Sequence, residues 1–579
     1  MTKRKRNHSA PPSSAREGLS AQTFPCSSSG LVVMLFFPGD RYCFYGTARV
    51  QCLGGDFFVD DFKMPTGGNL ELESMRHVCA PYRLSRPAVF RSILPMESPT
   101  KYKLNRLRYR LKEITLHYER IMDMIGERYP AVVVIDRKPS QTIRVMDQVL
   151  QDFFVPSWLR SPCQFDRTLF FSSQFELYTD DTQVALEQAM EEVNTQRVGG
   201  RRCTVVPVGT SGSGKSTLVR HLINTNLTRE WSVVYLLDAD VGQSEFTPAG
   251  CMSLWRLSDA ILDVPCTHQS QKFSCSYFFG NISPADDTEK YKELFDRLLN
   301  EFQSSSEPGA LLVINTLGWI EGLGLELLQH IFDVSRPLVA VSLSQERGAS
   351  IIPPWVPIVV RVAHKFPPNH SYLKLPDGIE KPARLLSNQL RDFALVSYLS
   401  YVLPRPDLSS LCDTTPYCVK FDRVTICVPE DYSYVDDRYF LATLNVQIVA
   451  LCSHEGDEPL KTRRLLGIHT LPLVFTLASK SPILRCHGYG IVRAIDLEKK
   501  LFYVITPTPS SELSKVTIFA RVTDLPVPQV LVEAQPVANV LYLSRPALSS
   551  KSSGIITDLY GGLKNVKTGK RAYFPAHAH

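Results

Sequence analysis

Short apolar runs separated by glycine, proline and polar stretches recur along this chain, and their periods divide it into blocks. Leu31 to Phe37, Tyr42 to Gly55 and Ala131 to Asp136 are brief, β-branched and aromatic, which predicts strands of a β-rich domain. Between them, Lys101 to Arg128 places apolar side chains at Leu104, Leu107, Leu111, Ile114, Tyr118, Ile121 and Ile125. That spacing predicts a single amphipathic helix. Its opposite face carries Lys103, Arg106, Arg110 and Lys112, with Tyr102 and Tyr109 nearby. Such a face suits either an RNA backbone or plain solvent.

The middle of the chain changes period. A polar helix, Thr179 to Thr195, leads through a flexible Val198 to Arg202 into the β-branched run Thr204 to Val208. An amphipathic helix, Ser216 to Leu227, and a buried-looking strand, Val233 to Leu237, follow. Lys290 to Glu301 reads as helix, Leu311 to Ile314 and Leu338 to Ser342 as strands, and Leu386 to Leu403 as a helix with Ser387 as its N-cap. Helices alternating with apolar strands predict a parallel sheet wound on both faces. Isolated prolines break 352–382, where Lys365, His370 and Lys374 gain no role.

A linker begins at Pro404 to Asp407. After it, Val424 to Val428, Tyr439 to Cys452, Gly490 to Ile495, Leu501 to Thr506 and Val516 to Val522 alternate as strands do, with Gly488-Tyr489-Gly490 as a β-turn. The expected fold class is α/β: a central parallel sheet domain (186–403), of P-loop NTPase type by its glycine-rich run GTSGSGKS at 209–216, between β-rich N-terminal (30–185) and C-terminal (404–548) domains. Tails at 1–29 and 549–579 complete the division, and no internal repeat is visible.

Composition adjusts this picture only slightly. At 579 residues the chain exceeds one core. With 64 Lys and Arg against 58 acids, the charge of +6 is compatible with an RNA partner without establishing one. Fourteen cysteines, none in a C-x-x-C pair, fit buried thiols in a reducing compartment better than a zinc site or a disulfide framework. No apolar run reaches membrane-spanning length and no signal peptide follows the basic start, so the expectation is a soluble intracellular protein without a membrane partner. Met1 to Ser29 is too polar to order itself. Its Lys3-Arg4-Lys5-Arg6 reads as a nuclear address or as a solvated tail.

The chemistry concentrates in Thr204 to Gly250. Gly209-Thr210-Ser211-Gly212-Ser213-Gly214-Lys215-Ser216 satisfies the full P-loop pattern, between a predicted strand and a predicted helix. Its glycines let successive N–H groups converge on phosphate oxygens at a positive helix end. Lys215 would neutralise the β and γ phosphates of a nucleotide, Ser216 would ligate Mg²⁺, and Thr217 lies within reach of the α-phosphate. The next strand ends in Asp238-Ala239-Asp240-Val241-Gly242-Gln243. In a parallel sheet two carboxylates leaving that edge face the loop, one to hold Mg²⁺ and one to accept a proton from an attacking hydroxyl. The third strand ends in Asn315-Thr316 and lacks a carboxylate, which leaves the metal work to Asp238 and Asp240.

GTSGSGKST, DADVGQSEFTPAG and INTLGWIEGLG resemble the Clp/Grc-type polynucleotide 5′-hydroxyl kinases. LRDFALVSYLSYVLPRP and GYGIVRAIDLEKKLFYVITP are similar to the nucleolar, pre-ribosomal-RNA branch of that family. The resemblance implies transfer of the ATP γ-phosphate to an RNA 5′-hydroxyl, a nuclear and nucleolar location, and an endoribonuclease partner in spacer processing for the large ribosomal subunit. By its motifs, Trp319 matches an RNA-stacking residue, although a tryptophan there also suits a core. Arg391 matches a lid arginine, with a helix-surface ion pair as the alternative and Arg384 in reserve. Gln243 would join Trp319 at the RNA end. Asp240 is the expected base and Asp238 the alternative. Two rivals stand beside this reading: a catalytically silent P-loop scaffold of a nuclease complex, and a ribosome-assembly GTPase, for which the chain lacks an [NT]-K-x-D segment.

Overall fold

The computed structural model describes residues 23–28, 30–67, 75–84, 87–95, 100–136, 138–150, 153–155, 168–172, 176–228, 230–343, 351–365, 385–430, 432, 435–456, 459–477 and 482–534. These form two compact units. One contains the described residues through 138 together with 154–172, and the other contains 139–153 and those from 176 onward.

The first unit is built on a nine-stranded sheet. Leu31–Phe36, Ala131–Asp136 and the long strand Arg41–Gly54 are antiparallel neighbours at its centre. Leu107, Leu111, Ile121 and Ile125 pack with Val33, Leu35, Val132 and Val134 in one apolar cluster. The helix expected over 101–128 is two helices, Lys101–Ile114 and Tyr118–Arg128. Thr115 breaks it: its backbone is extended and its hydroxyl donates to Pro25 O at 2.8 Å, a tertiary bond that periodicity cannot reveal. Arg110, expected on the solvent face, is buried.

The second unit carries a fifteen-stranded sheet whose first five strands are parallel, in the order Ile358–Arg361, Val339–Ser342, Cys203–Val208, Leu311–Asn315, Val234–Asp238. Helices Lys215–Asn226, Thr288–Ser305 and Leu323–Ser335 connect into it. Val205 and Val206, successive residues whose side chains leave opposite faces of the sheet, are both fully buried, and that explains why these strands read as unbroken apolar runs. Cys251–Leu257 and Cys275–Phe278 continue the sheet antiparallel. Through the pair Tyr277 and Arg485 the sheet reaches Leu484–Asp496 and the remaining C-terminal strands.

Three local expectations fail here. Residues 439–447 are mainly helical turns, Asp437–Phe440 and Leu441–Leu444, and the strand is Ile448–His454. Gly488-Tyr489-Gly490 lies inside the strand Leu484–Asp496. A Cβ on Gly488 would come within 2.0 Å of Thr508 Oγ1, and one on Gly490 within 2.8 Å of Val504 Cγ1, so these glycines serve close packing and make no turn. Ser387 is the first residue of its helix; Leu386 is the N-cap, and its N–H donates to the Gln389 side chain at 2.9 Å.

Candidate functional site

The loop 209–214 leaves the central parallel strand and turns into the helix that starts at Lys215. Gly212 and Gly214 have φ of +74° and +98°, a left-handed backbone that places the helix start under the loop. Lys215 is buried, with its ammonium donating to Gly209 O at 3.0 Å and Thr210 O at 3.2 Å. Burial holds its pKa below the usual lysine value, opposed by the charge of Asp240. Ser216 and Thr217 are half-buried in the first helical turn, while Thr210 and Ser211 are exposed.

Asp238 closes the adjacent parallel strand and is fully buried. Its Oδ2 accepts the Glu245 N–H at 2.6 Å, and its Oδ1 accepts Asn315 Nδ2 at 2.9 Å. Burial pushes its pKa up to about 7 against those two donors, helped by the neighbouring charges of Asp240 and Glu245. Asp240, half-buried, accepts the Gly242 and Gln243 N–H groups on Oδ1, both at 3.1 Å. Burial raises its pKa, while Lys215, the two N–H groups and Arg391 oppose the rise. Asp240, beside the phosphate loop at the carboxyl edge of the sheet, thus feels the positive charge of Lys215 and, more weakly, that of Arg391. Arg391 stands on the helix Ser387–Ser400, and Gln243 is exposed on the acidic turn. Arg384, His370 and Lys374 lie outside the described residues.

Trp319 is half-buried and packs against the central core, with Gly324 beneath its ring. The preceding residue, Gly318, accepts the Ser211 N–H at 3.1 Å and so ties the P-loop to this segment. Four further residues escaped the sequence reading. Glu245 is buried between Arg220, which donates from Nε at 2.8 Å and Nη2 at 3.2 Å, and His268 Nε2 at 3.2 Å. Burial alone would raise the Glu245 pKa, but Arg220 and His268 hold it at about 2. His364 Nε2 sits 3.1 Å from Ser213 O on the loop. Asn315, at the end of the strand that lacks a carboxylate, gives its side-chain amide to Asp238. Each acts through partners distant in sequence, and only the SEFTP run after the aspartates signalled anything about Glu245.

A glycine-rich phosphate loop on the central strand of a parallel sheet, with carboxylates on the next strand end, defines a P-loop kinase. Two family models match: "mRNA cleavage and polyadenylation factor CLP1 P-loop" over residues 209–399 and "NOL9-like, C-terminal domain" over 412–525. The chain is 32% identical over 552 residues to polynucleotide 5′-hydroxyl-kinase nol-9 of Caenorhabditis elegans, covering 95% of this chain and 98% of that relative. It is 26% identical over 591 residues to the Mus musculus polynucleotide 5′-hydroxyl-kinase NOL9, covering 92% and 79%, and 30% identical over 372 residues to its Arabidopsis thaliana namesake, covering 59% and 90%. The chain belongs to the polynucleotide 5′-hydroxyl-kinase NOL9 family. Among the described residues no helix is long and apolar enough to cross a membrane.

Proposed function

We propose that this kinase transfers the γ-phosphoryl group of ATP to the 5′-hydroxyl of an RNA. The phosphate loop between the central strand and the helix from Lys215, with Asp238 and Asp240 at the end of a parallel strand of the same sheet, carries the reading. Loop N–H groups of 209–214 other than those of Ser211 and Ser213, which donate to Gly318 O and Thr210 O, receive the triphosphate together with the helix start. Lys215, resting on its own loop carbonyls, moves onto the β and γ phosphates. Asp240 keeps Oδ2 free of hydrogen bonds among the described residues, so that oxygen takes the proton as the 5′-hydroxyl attacks phosphorus. The bond from phosphorus to the β-bridging oxygen breaks, ADP leaves, and Arg391 offsets the charge built up in transit.

Ser216 offers a hydroxyl oxygen that fits Mg²⁺, which when bound would neutralise phosphate charge. Asp238, with both oxygens already hydrogen bonded, positions the turn and reaches a cation through water. Gln243 and Trp319 flank the path of the RNA end. The family relationship supports a nucleolar role in pre-ribosomal RNA processing beside an endoribonuclease.

The decisive experiment measures phosphate transfer from ATP to a 5′-hydroxyl RNA by wild type, Lys215→Ala and Asp240→Asn. Each substitution is expected to lower turnover at least about a hundredfold. Nucleotide binding without transfer by wild type would instead favour a silent scaffold, and full activity in Asp240→Asn would remove Asp240 as the base.

A further inference from the structure

The helix Lys101–Ile114 of the first unit has no place in the reaction above. Its buried side is supplied by Leu107, Arg110 and Leu111. On the solvent side, Tyr102 and Tyr109 are 74% and 67% exposed, an unusual outlay of aromatic surface on a helix with an apolar face already buried. At about 100° per residue, Tyr102, Arg106 and Tyr109 fall within roughly 60° of arc, and the two rings are spaced about 10 Å along the axis. Exposed Lys103 and Lys112 flank this stripe at roughly 60° on either side, and exposed Glu113 falls within it.

The charge is also placed against helix stability. The first turn contains no acid, and Lys101 and Lys103 sit at the end where the helix dipole is positive. Across the whole helix Glu113 is the single acidic residue. A face selected only for solubility would mix the signs and put acids first.

We infer that this face is a second RNA contact, in which Tyr102 and Tyr109 stack on bases of single-stranded RNA while Arg106 and the flanking cations follow its phosphates. Stacking platforms set among cations grip single strands without reading sequence. A spacing of about 10 Å is crossed by roughly three stacked nucleotides at 3.4 Å each, so the two rings take bases that are not neighbours. The site would hold the body of the substrate. It rests on the RNA-kinase reading for its ligand.

The test compares wild type, Tyr102→Ala/Tyr109→Ala, Tyr102→Phe/Tyr109→Phe and Arg106→Glu in the full chain. Two readouts are taken: fluorescence anisotropy with a thirty-nucleotide 5′-hydroxyl RNA, and turnover of a 5′-hydroxyl trinucleotide. The alanine pair and Arg106→Glu should each weaken binding of the long RNA about tenfold or more, the phenylalanine pair should bind as wild type, and Arg106→Glu should flatten the salt dependence. Trinucleotide turnover should stay unchanged throughout. Wild-type affinity for long RNA in the alanine pair and in Arg106→Glu overturns the proposal and leaves the kinase reading standing. Absence of transfer by wild type defeats the kinase reading, while the binding arm still decides the helix.

Discussion

At the scale of single residues, the site depends on atoms that cannot be moved. Gly318 accepts the Ser211 N–H, and a Cβ there would stand 2.9 Å from both Ser211 Cα and Ser211 N. Gly318→Ala is expected to displace the phosphate loop and weaken nucleotide binding about tenfold or more, read by calorimetric titration. The two carboxylates of the turn differ in a way that pH exposes. Asp238, raised by burial from 3.8 to about 7, keeps a proton in the folded state that the unfolded chain has already lost. Its contribution therefore falls as pH rises from about 4 to about 7. Glu245, held at about 2 against 4.5 unfolded, is fully ionised in both states across the upper part of that window and contributes no slope there. Melting of the nucleotide-free protein should show Asp238→Asn gaining on wild type between pH 5 and pH 7.5, and parallel curves would refute the assignment. The GKS signature and both aspartates were legible because each motif is local. The hydrogen bond that gives Asp238 to Asn315, and so separates its role from that of Asp240, joins residues 77 positions apart.

Among elements, the acidic turn and the phosphate-loop helix are fastened by the buried pair Glu245 and Arg220, with His268 as third member. Glu245→Gln leaves Arg220 without its partner charge in a site with little water, and a loss of about 3–5 kcal/mol is expected in chemical denaturation. An unchanged midpoint would show that the pair is dispensable. Strand cores were readable from unbroken apolar runs, and Ala131–Asp136 was read to the residue. Boundaries set by tertiary bonds were not. The helix over 101–128 parts at Thr115 for a hydroxyl bond to Pro25, and Gly488 and Gly490 remain in a strand because Thr508 and Val504 press against them. Glycine pairs are weak punctuation when the space beside them is occupied.

On the scale of the whole molecule, the kinase strands and the C-terminal strands share one sheet within one compact unit. Tyr489 is fully buried there; its hydroxyl donates to Ala249 O at 3.0 Å and lies 3.0 Å from Cys251 Sγ, just past the acidic turn. Tyr489→Phe leaves that carbonyl unsatisfied and is expected to cost about 1–3 kcal/mol, with the P-loop and C-terminal strands still melting together in hydrogen exchange. Separate protection of the two regions would refute this coupling. The phosphate loop, the paired aspartates, the family and most strand cores were legible along the chain, because these depend on residue types at short fixed spacings. Three-dimensional packing was needed to reveal that both oxygens of Asp238 are hydrogen bonded, to Glu245 and Asn315, and that the C-terminal strands extend the kinase sheet. Those outcomes arise from burial and from hydrogen bonds between segments far apart along the chain, a geometry that no local pattern encodes.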